Sequence, residues 1–281
     1  MLHNLKVRPA KPSDKDDIDE LINSGMYVHR HLDWRTPNDW LGKEPFFVME
    51  NQFGICCALA CVPEPEGIGW VRIFATNRTK ELNEDWDSLF SRVMVYFQGH
   101  PVKMLPAMGI HEWFSDLLGK RGFHFLQNVV VLKWNAIGHI AQTHNEITIR
   151  RMNQTDTPLV TEVDNLAFEP LWQIPLPAMT QALLQAAYST VAILDGNIIG
   201  YQLSTSRMGS AHLARLAVLP AYQGRTIGKS LVSEMLSHFS NSGIQEITVN
   251  TQSDNAASLA LYKKLNFQPT GEAYPVYLYT M

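Results

Sequence analysis

The chain of 281 residues has room for two domains of ordinary size, and its 46% hydrophobic content excludes a disordered protein. A formal net charge of −4, with no long basic run, argues against a nucleic-acid partner. No apolar stretch approaches the roughly 20 residues that span a bilayer, and the N-terminus has no apolar signal segment, so we expect a cytoplasmic protein without membrane contact.

The first half opens with a short strand at Val7-Arg8, a polar helix start at Ser13-Asp14 and a helix over residues 15–22. An apolar run over residues 54–62 follows and contains all three cysteines, Cys56, Cys57 and Cys61. Buried thiols in a strand are the expected structure, because a metal site needs more ligands at suitable spacing. We therefore expect no metal.

The second half begins in the same way, with Ile149-Arg150, Thr155-Asp156 and a helix over residues 157–167. The corresponding arginines and aspartates of the two halves are each 142 positions apart. The ends also match, since residues 117–123 resemble residues 261–267 at an offset of 144. The pattern predicts a diverged internal repeat, with domains at 1–142 and 146–281 and a polar linker at 142–146.

The second half alternates between strand-like and helix-like segments, as an α/β fold does. A turn at Asp195-Gly-Asn predicts a hairpin, and Gly243 predicts a helix end. The predicted strands are 146–151, 190–194, 198–206, 211–219, 246–252 and 276–280; the predicted helices are 157–167, 178–187, 228–240 and 256–265; and 168–177 is a loop.

A glycine-bearing loop joins the central strand to the helix at 228. It reads Gln223-Gly-Arg-Thr-Ile-Gly228, with Lys229 beyond it. The first amides of a helix have no internal partner and carry partial positive charge, so such a loop can seat phosphate oxygens. A plain strand-to-helix turn would give the same pattern.

A second motif lies about thirty residues further on, in Asn255-Ala-Ala-Ser-Leu-Ala-Leu-Tyr-Lys-Lys-Leu-Asn-Phe267. The two motifs together resemble the acetyl-CoA-binding core of the GNAT superfamily of N-acetyltransferases. The first family motif is Gln/Arg-x-x-Gly-x-Gly/Ala, and the second is Asn-x-x-Ala-x-x-Leu-Tyr-x-x-x-Gly-Phe. Ser258 stands at the usual Ala position and Asn266 at the usual Gly position. The resemblance covers residues 146–281 and implies an α/β fold of two tandem GNAT-like domains, each a mixed central sheet flanked by helices.

Thr226 stands where the first motif usually has Gly. A β-branched residue resists positive φ, so either the backbone there has an ordinary conformation or coenzyme binding is weakened. Its hydroxyl could instead donate a hydrogen bond to a phosphate oxygen.

The first copy has no counterpart of this chemistry. The segment that corresponds to the phosphate loop, about residues 76–85, has no glycine and several carboxylates, and Leu118 replaces the tyrosine. We interpret the N-terminal half as a structural or substrate-shaping partner, as in tandem GNAT enzymes whose C-terminal copy carries the activity.

The resemblance implies an acetyl-CoA site in the C-terminal copy. The strand edge would hold the pantetheine arm and polarise the thioester carbonyl through a backbone amide. The predicted coenzyme contacts are Leu216, Ala217, Val218, Gln223, Gly224, Arg225, Thr226, Ile227, Gly228, Lys229, Asn255, Ser258 and Tyr262.

Tyr262 is the candidate general acid, because a phenol can protonate a leaving thiolate at modest cost. A packed core tyrosine is the alternative. Asn255 may serve only as an N-cap.

The general base is less well defined. Many family members carry a carboxylate two residues before Leu216, where this chain has Ala214. Strand alternation would place His212, Ala214 and Leu216 on one face, so His212 is a candidate base, directly or through a water; a structural or solvated histidine is the alternative that the pattern favours. Glu169 is another candidate, and a neutral amine would need no base.

Four further residues, Phe168, Trp172, Tyr201 and Asn250, are candidates for the acceptor pocket or simply for the core. The predicted reaction is direct transfer of acetyl to an amine of a small molecule or a protein, without a covalent enzyme intermediate. The main rival is a non-catalytic acyl-CoA-binding or sensor module. Peptidyl or aminoacyl transfer needs no such loop and is disfavoured. The sequence does not predict the oligomeric state.

Overall fold

The computed structural model describes residues 5–135 and 147–280, so the predicted linker at 142–146 lies outside the described residues. The chain forms two compact units, Met1–Leu126 with Tyr274–Met281, and Gln127–Ala273. Residues 127–135 thus belong to the C-terminal unit and residues 274–281 to the N-terminal unit, whereas the predicted domains 1–142 and 146–281 place them the other way round. Those domain boundaries stay a prediction.

The N-terminal unit contains a five-stranded antiparallel sheet of order β1-β3-β4-β5-β2. The elements are β1 (Lys6–Pro9), α1 (Lys15–Ser24), β2 (Tyr27–Arg30), β3 (Phe46–Asn51), β4 (Gly54–Ala60), β5 (Ile73–Thr76), α2 (Leu82–Phe97), β6 (Met104–Met108) and α3 (Glu112–Gly119). The apolar stripe of α2 packs Trp86 and Leu89 into the core.

The three cysteines are all buried in this unit, as predicted. Burial raises the pKa of the Cys57 and Cys61 thiols, so these side chains behave as small apolar groups. Within residues 5–135 and 147–280 we find no group of three or more metal-ligating side chains. No helix in those same ranges is long and apolar enough to cross a bilayer.

The C-terminal unit is a mixed sheet with helices, which confirms the predicted α/β class. Its strands follow the order β7-β12-β11-β10-β9-β8, in which β11 and β12 are parallel and the other pairs antiparallel. The elements are β7 (His124–Asn135), β8 (Thr148–Arg151), α4 (Thr157–Ala167), α5 (Leu176–Gln185), β9 (Tyr188–Leu194), β10 (Asn197–Arg207), β11 (Ser210–Val218), α6 (Ile227–Asn241), β12 (Glu246–Gln252), α7 (Ala256–Lys264) and β13 (Gln268–Thr280).

Most predicted element boundaries in this half agree with the structure to within two residues. Strand β13 is the exception, because it begins at Gln268 rather than at 276. Its last residues, 276–280, pair with β6 and so belong to the N-terminal unit. A pairing with a strand about 170 residues away leaves no local signal in the sequence.

The helix starts of the repeat share one ion-pair geometry. Arg8 donates to both carboxylate oxygens of Asp14 at 2.7 and 3.0 Å, and Arg150 donates to those of Asp156 at 2.7 and 2.8 Å. Each aspartate also accepts a hydrogen bond from a backbone amide three residues earlier, at 2.7 and 2.9 Å. The matched residues are therefore equivalent capping units, which supports the repeat.

The helix ends of the repeat are also equivalent. The amide of Phe123 donates to the carbonyl of Leu118 at 3.2 Å, and the amide of Phe267 donates to that of Tyr262 at 3.0 Å. Gly122 has φ 81° and Asn266 has φ 66°. Asn266 can replace glycine here because asparagine tolerates the left-handed region better than most residues.

Candidate functional site

The central feature of the C-terminal unit is a gap between two parallel strands. Strands β11 and β12 pair only from Ser210 with Glu246 to Leu213 with Val249. Beyond that point β11 continues to Val218, paired with β10 on its other edge. The backbone of 216–218 therefore presents an edge without strand pairing on the β12 side, where an extended ligand can add hydrogen bonds.

The gap leads to the first turn of α6. The first helical hydrogen bond is donated by the amide of Ser230 to the carbonyl of Thr226, at 2.9 Å. The amides of Ile227, Gly228 and Lys229 precede it and have no carbonyl partner within the helix. These amides and the helix dipole make this end suited to anionic oxygens.

Thr226 adopts the left-handed conformation, with φ 64°, and Gly224 has φ 75°. Of the alternatives that the sequence left open, an ordinary backbone conformation at Thr226 is therefore wrong. A β-branched residue in this region is strained, typically by 1–3 kcal/mol. The loop keeps the glycine-like conformation of the family motif without the glycine.

A cleft of about 430 Å³ extends from the strand edge to α6 and α7. This volume lies within the range of small-molecule and coenzyme sites. Every predicted coenzyme contact except Arg225 and Tyr262 lines it, and it is also lined by Ala167, Phe168, Tyr222, Ala257, Ala260, Leu261 and Lys264.

The charge of the cleft favours an anionic ligand. Its described lining includes Lys229 and Lys264 but no carboxylate. Arg225 is exposed, and its guanidinium carbon lies 5.5 Å from the ring centroid of Tyr222, which does line the cleft. Arg225 can therefore act on a phosphate from the rim.

Asn255 is both a helix cap and a cleft residue. Its side-chain oxygen accepts a hydrogen bond from the amide of Ser258 at 3.0 Å, and both residues line the cleft. The cap holds the first turn of α7 against the cleft, so the two predicted roles of Asn255 coexist.

Tyr262 is only 3% exposed and packs against Phe267, with ring centroids 5.4 Å apart. Burial raises the pKa of its hydroxyl well above the ordinary value of 10, so the phenol stays protonated. Tyr262 is not among the residues that line the cleft. The proposed role of Tyr262 as an acid therefore rests on its position in the family motif and not on a contact with the cleft.

A β-bulge at Ala214 changes the faces of β11. Leu203 of β10 lies opposite Arg215, and Ser204 lies opposite Leu213, so Ala214 has no opposite residue. Since Thr205 lies opposite His212, the bulge places His212 on the same face as Arg215. The predicted common face of His212, Ala214 and Leu216 is therefore wrong, because Leu216 lies opposite Gln202 on the other face.

His212 is held by a hydrogen bond between its Nδ1 and Thr248 Oγ1, at 2.8 Å. Burial lowers the pKa of the imidazole below its ordinary value, so His212 is neutral at neutral pH. His212 does not line the cleft, and neither does Glu169, which is exposed at the end of α4. A neutral imidazole has a nitrogen lone pair that can accept a proton, as a general base must.

The four candidate acceptor residues occupy different environments. Phe168 lines the cleft, Trp172 is partly buried in the loop after α4, and Asn250 is partly buried on β12. Tyr201 is completely buried and donates a hydrogen bond to Asp164 at 2.5 Å. Burial and the neighbouring charge of Asp164 raise the pKa of Tyr201 well above its ordinary value.

Sequence reasoning missed a buried ion pair that connects these residues. Arg215 donates to the two oxygens of Asp164 at 2.7 and 2.9 Å and to the carbonyl of Trp172 at 2.5 Å. The guanidinium carbon lies 3.5 Å from the ring centroid of Phe168. Asp164 also accepts a hydrogen bond from the amide of Ile174 at 2.8 Å. The pair therefore fixes the loop after α4 to the bulged strand.

The sequence does contain a signal for this pair. Asp164 follows the buried Val160 by four positions, so it lies on the apolar face of α4. Arg215 interrupts an apolar strand. Charges at core positions are paired in most proteins.

The fold and the cleft define a class of protein, an α/β protein whose cleft between two diverging strands and a helix N-terminus is suited to an anionic, extended ligand. Residues 157–267 match the model of the acetyltransferase (GNAT) family. This match lies within the C-terminal unit, which therefore carries the motifs of the GNAT family.

The curated relatives include an N-alpha-acetyltransferase and a ribosomal protein alanine N-acetyltransferase. The chain is 40% identical over 81 residues to the N-alpha-acetyltransferase RimI of Mycobacterium tuberculosis, which covers 27% of this chain and 49% of that enzyme. It is 23% identical over 120 residues to the ribosomal protein bS18-alanine N-acetyltransferase of Escherichia coli K12, which covers 43% of this chain and 80% of that enzyme. The chain thus spans only about half the length of the first of these relatives.

Solved structures resemble the whole chain. A tandem GNAT protein from the clavulanic acid biosynthesis pathway has a TM-score of 0.66 at 13% identity, over 98% of each chain. A GCN5-related N-acetyltransferase from Sphaerobacter thermophilus has a TM-score of 0.64 at 15% identity, over 98% of this chain and 95% of that one. At these identities the likeness shows the tandem fold alone.

Proposed function

We propose that the protein is an acetyl-CoA-dependent N-acetyltransferase whose C-terminal unit transfers acetyl directly to an amine. The observation that carries this proposal is the divergence of β11 and β12 beyond Leu213 and Val249. It leaves a strand edge that is not paired with β12 and leads to the N-terminus of α6, with the carbonyl of Val218 accepting a hydrogen bond from Gln223 Nε2 at 3.0 Å. An extended thioester with a charged phosphate end matches both features.

The phosphate end is assigned to the first turn of α6. The amides of Ile227 and Gly228 would donate to phosphate oxygens, and Lys229 and Lys264 would add positive charge. The pantetheine arm would follow the edge of 216–218, with a backbone amide there donating to the thioester carbonyl. These contacts hold the donor and polarise the carbon that is attacked.

In the chemical step the amine nitrogen attacks the thioester carbonyl carbon. A C–N bond forms, the C–S bond breaks, and the coenzyme leaves as a thiolate. Tyr262 is assigned as the acid that protonates this thiolate; its raised pKa keeps the phenol protonated before the step but makes the proton transfer itself more uphill. The ammonium proton of the acceptor passes to water or to His212, whose lowered pKa keeps it neutral and able to accept. Glu169 is the second candidate base.

The acceptor is assigned as a primary amine, either of a small molecule or at the amino terminus of a protein. The names of the curated relatives favour the second, because they describe an alanine N-acetyltransferase of a ribosomal protein and an N-alpha-acetyltransferase. A panel of candidate acceptors should therefore include a peptide with an N-terminal alanine as well as small primary amines.

A non-catalytic acyl-CoA-binding protein is the second candidate. It is favoured by one observation: of Tyr262, His212 and Glu169, the side chains proposed for proton transfer, none lines the cleft. Such a protein would bind acetyl-CoA without transferring the acetyl group.

The experiment that separates these functions is acetyl transfer to the amine panel by wild type and Tyr262→Phe. The enzyme proposal predicts turnover by wild type and a loss of about 100-fold in kcat for the variant, with unchanged acetyl-CoA affinity. Thermal unfolding of wild type and Tyr262→Phe is the control for correct folding of the variant. Tight binding without turnover of any amine would favour the sensor, and absence of binding would reject both.

A further inference from the structure

The N-terminal unit contains a second, much smaller cavity that the acetyl-transfer proposal does not use. It has a volume of about 40 Å³ and lies where β2 ends, beside the turn Pro37–Trp40. Its polar lining consists of Arg30, His31, Asp33, Arg35 and Arg72, with the ring of Trp40. The volume is enough for one or a few atom-sized groups and too small for a coenzyme.

The cavity has an excess of positive charge. Arg35 is paired with Glu64 through two hydrogen bonds of 2.6 and 2.9 Å, and Arg72 is paired with Asp33 at 2.6 Å. Each of these pairs has no net charge, which leaves the exposed Arg30 as an additional cation on the lining. A small anion would therefore meet a favourable potential.

The walls are held in place before any ligand binds. The ring of Trp40 is 2% exposed, and the guanidinium carbons of Arg35 and Arg72 lie 5.3 and 4.7 Å from its centroid. The ring of His31 stacks on Trp70 with centroids 4.4 Å apart. Preorganised donors bind without a large ordering cost.

Two of the lining residues each have one buried polar atom without a hydrogen-bond partner among the described residues. These atoms are Nε of Arg72, a residue only 7% exposed, and Nδ1 of His31. Burial and the charge of Arg72 hold the pKa of His31 well below its ordinary value, so its ring is neutral and carries one N–H. An unsatisfied buried donor is costly, so such groups usually have a ligand or water as partner.

We propose that this cavity is a binding site for a small monovalent anion, a halide ion or a single carboxylate group, held by the Nε–H of Arg72 and the Nδ1–H of His31. Water is the competing occupant. The excess positive charge favours the anion, because the Nε–H of Arg72 is always a donor and the proposed tautomer of His31 carries its proton on Nδ1.

The first test is thermal unfolding of the full chain at constant ionic strength, with sodium gluconate replaced stepwise by sodium chloride or by sodium formate. Binding to the folded state alone predicts a saturable rise in Tm of about 4 °C for the preferred anion, and the two arms distinguish a halide from a carboxylate. His31→Phe keeps the stacked ring but removes Nδ1, so its anion-dependent rise should be lost.

His29→Phe is the matched control. His29 is also buried and has an unpartnered Nδ1, but it stacks on Phe114 and does not line the cavity. This variant should be less stable than wild type and keep the full anion-dependent rise. An equal rise in wild type and His31→Phe would overturn the proposal.

The second test does not depend on the stability of a variant. Crystals of the wild-type protein soaked in sodium bromide should show an anomalous peak within hydrogen-bond distance of Arg72 Nε. Density for water alone, with no bromide peak in the cavity, would overturn the proposal. Neither test involves acetyl-CoA, so the outcome is independent of the proposed transferase function.

Discussion

Asp164 and Arg215, 51 residues apart in the sequence, form a two-point ion pair with N–O distances of 2.7 and 2.9 Å. The carboxylate side chain is completely buried and the guanidinium is 13% exposed. Burial alone would lower the pKa of Arg215, but the charge of Asp164 raises it above its ordinary value. Since Arg215 also binds the carbonyl of Trp172, the pair connects a core helix, the bulged strand and the loop beside the cleft.

We expect Asp164→Asn to lower the free energy of unfolding by about 3 kcal/mol, because it leaves the buried charge of Arg215 without a partner. Urea unfolding measures this loss. Asp87→Asn is the matched control, since Asp87 also forms a two-point pair, with Arg121, but is 54% exposed. The control should lose less than about 1 kcal/mol. Equal small losses in both variants would contradict the structural role given to Asp164.

Thr226→Gly should stabilise the protein by about 1 kcal/mol, because glycine adopts φ 64° without the steric cost that threonine bears. Gly224→Ala, two residues earlier at φ 75°, is the opposite control. An added Cβ at Gly224 has no atom within 4 Å, so any loss there, of about 1 kcal/mol, comes from the backbone alone. Chemical denaturation measures the change in the free energy of unfolding, which should rise in Thr226→Gly and fall in Gly224→Ala. A fall in Thr226→Gly would contradict the strain assigned to Thr226 and would mean that contacts of its hydroxyl outweigh that strain.

The Arg150–Asp156 pair predicts a pH-dependent stability. The hydrogen bonds from Arg150 lower the pKa of Asp156 in the folded state below the unfolded value of about 3.9. A lowered folded-state pKa contributes stability above the unfolded pKa, and this contribution is lost as the pH falls through the folded-state value.

Asp156→Asn should therefore cost about 1–2 kcal/mol at pH 7, and the difference from wild type should shrink steadily below pH 4. Unfolding curves at several pH values measure this. Asp14→Asn provides the equivalent change in the first copy of the repeat, where Arg8 also pairs with Glu50 at 2.8 Å. A difference from wild type that is the same at pH 7 and pH 3 would contradict the assignment.

Local signals account for what the sequence predicted well. Caps, glycine positions and apolar periodicity act over a few residues, so α4 and β12 were predicted with their observed bounds. The location of the cleft was predicted from two such local signals, the loop before α6 and the cap of α7. The helix end at Asn266 was also predictable from a local signal, because asparagine tolerates the positive φ that glycine usually adopts there.

The failures all involve distant partners. The bulge at Ala214 depends on the register with β10, and alternation within β11 alone gave the wrong face for His212. The ion pair of Arg215 and the small cavity around Arg72 need residues from separate elements. The pairing of residues 276–280 with β6 depends on contacts across most of the chain.

The most direct test of the central claim, a single acetyl-CoA site at the gap between β11 and β12, is calorimetric titration of wild type, Lys264→Glu and Lys263→Glu. Lys264 lines the cleft, whereas its neighbour Lys263 on α7 is exposed and does not. The account predicts one site per chain, about tenfold weaker in Lys264→Glu and unchanged in Lys263→Glu. Two sites per chain, no binding, or equal weakening in both variants would contradict it.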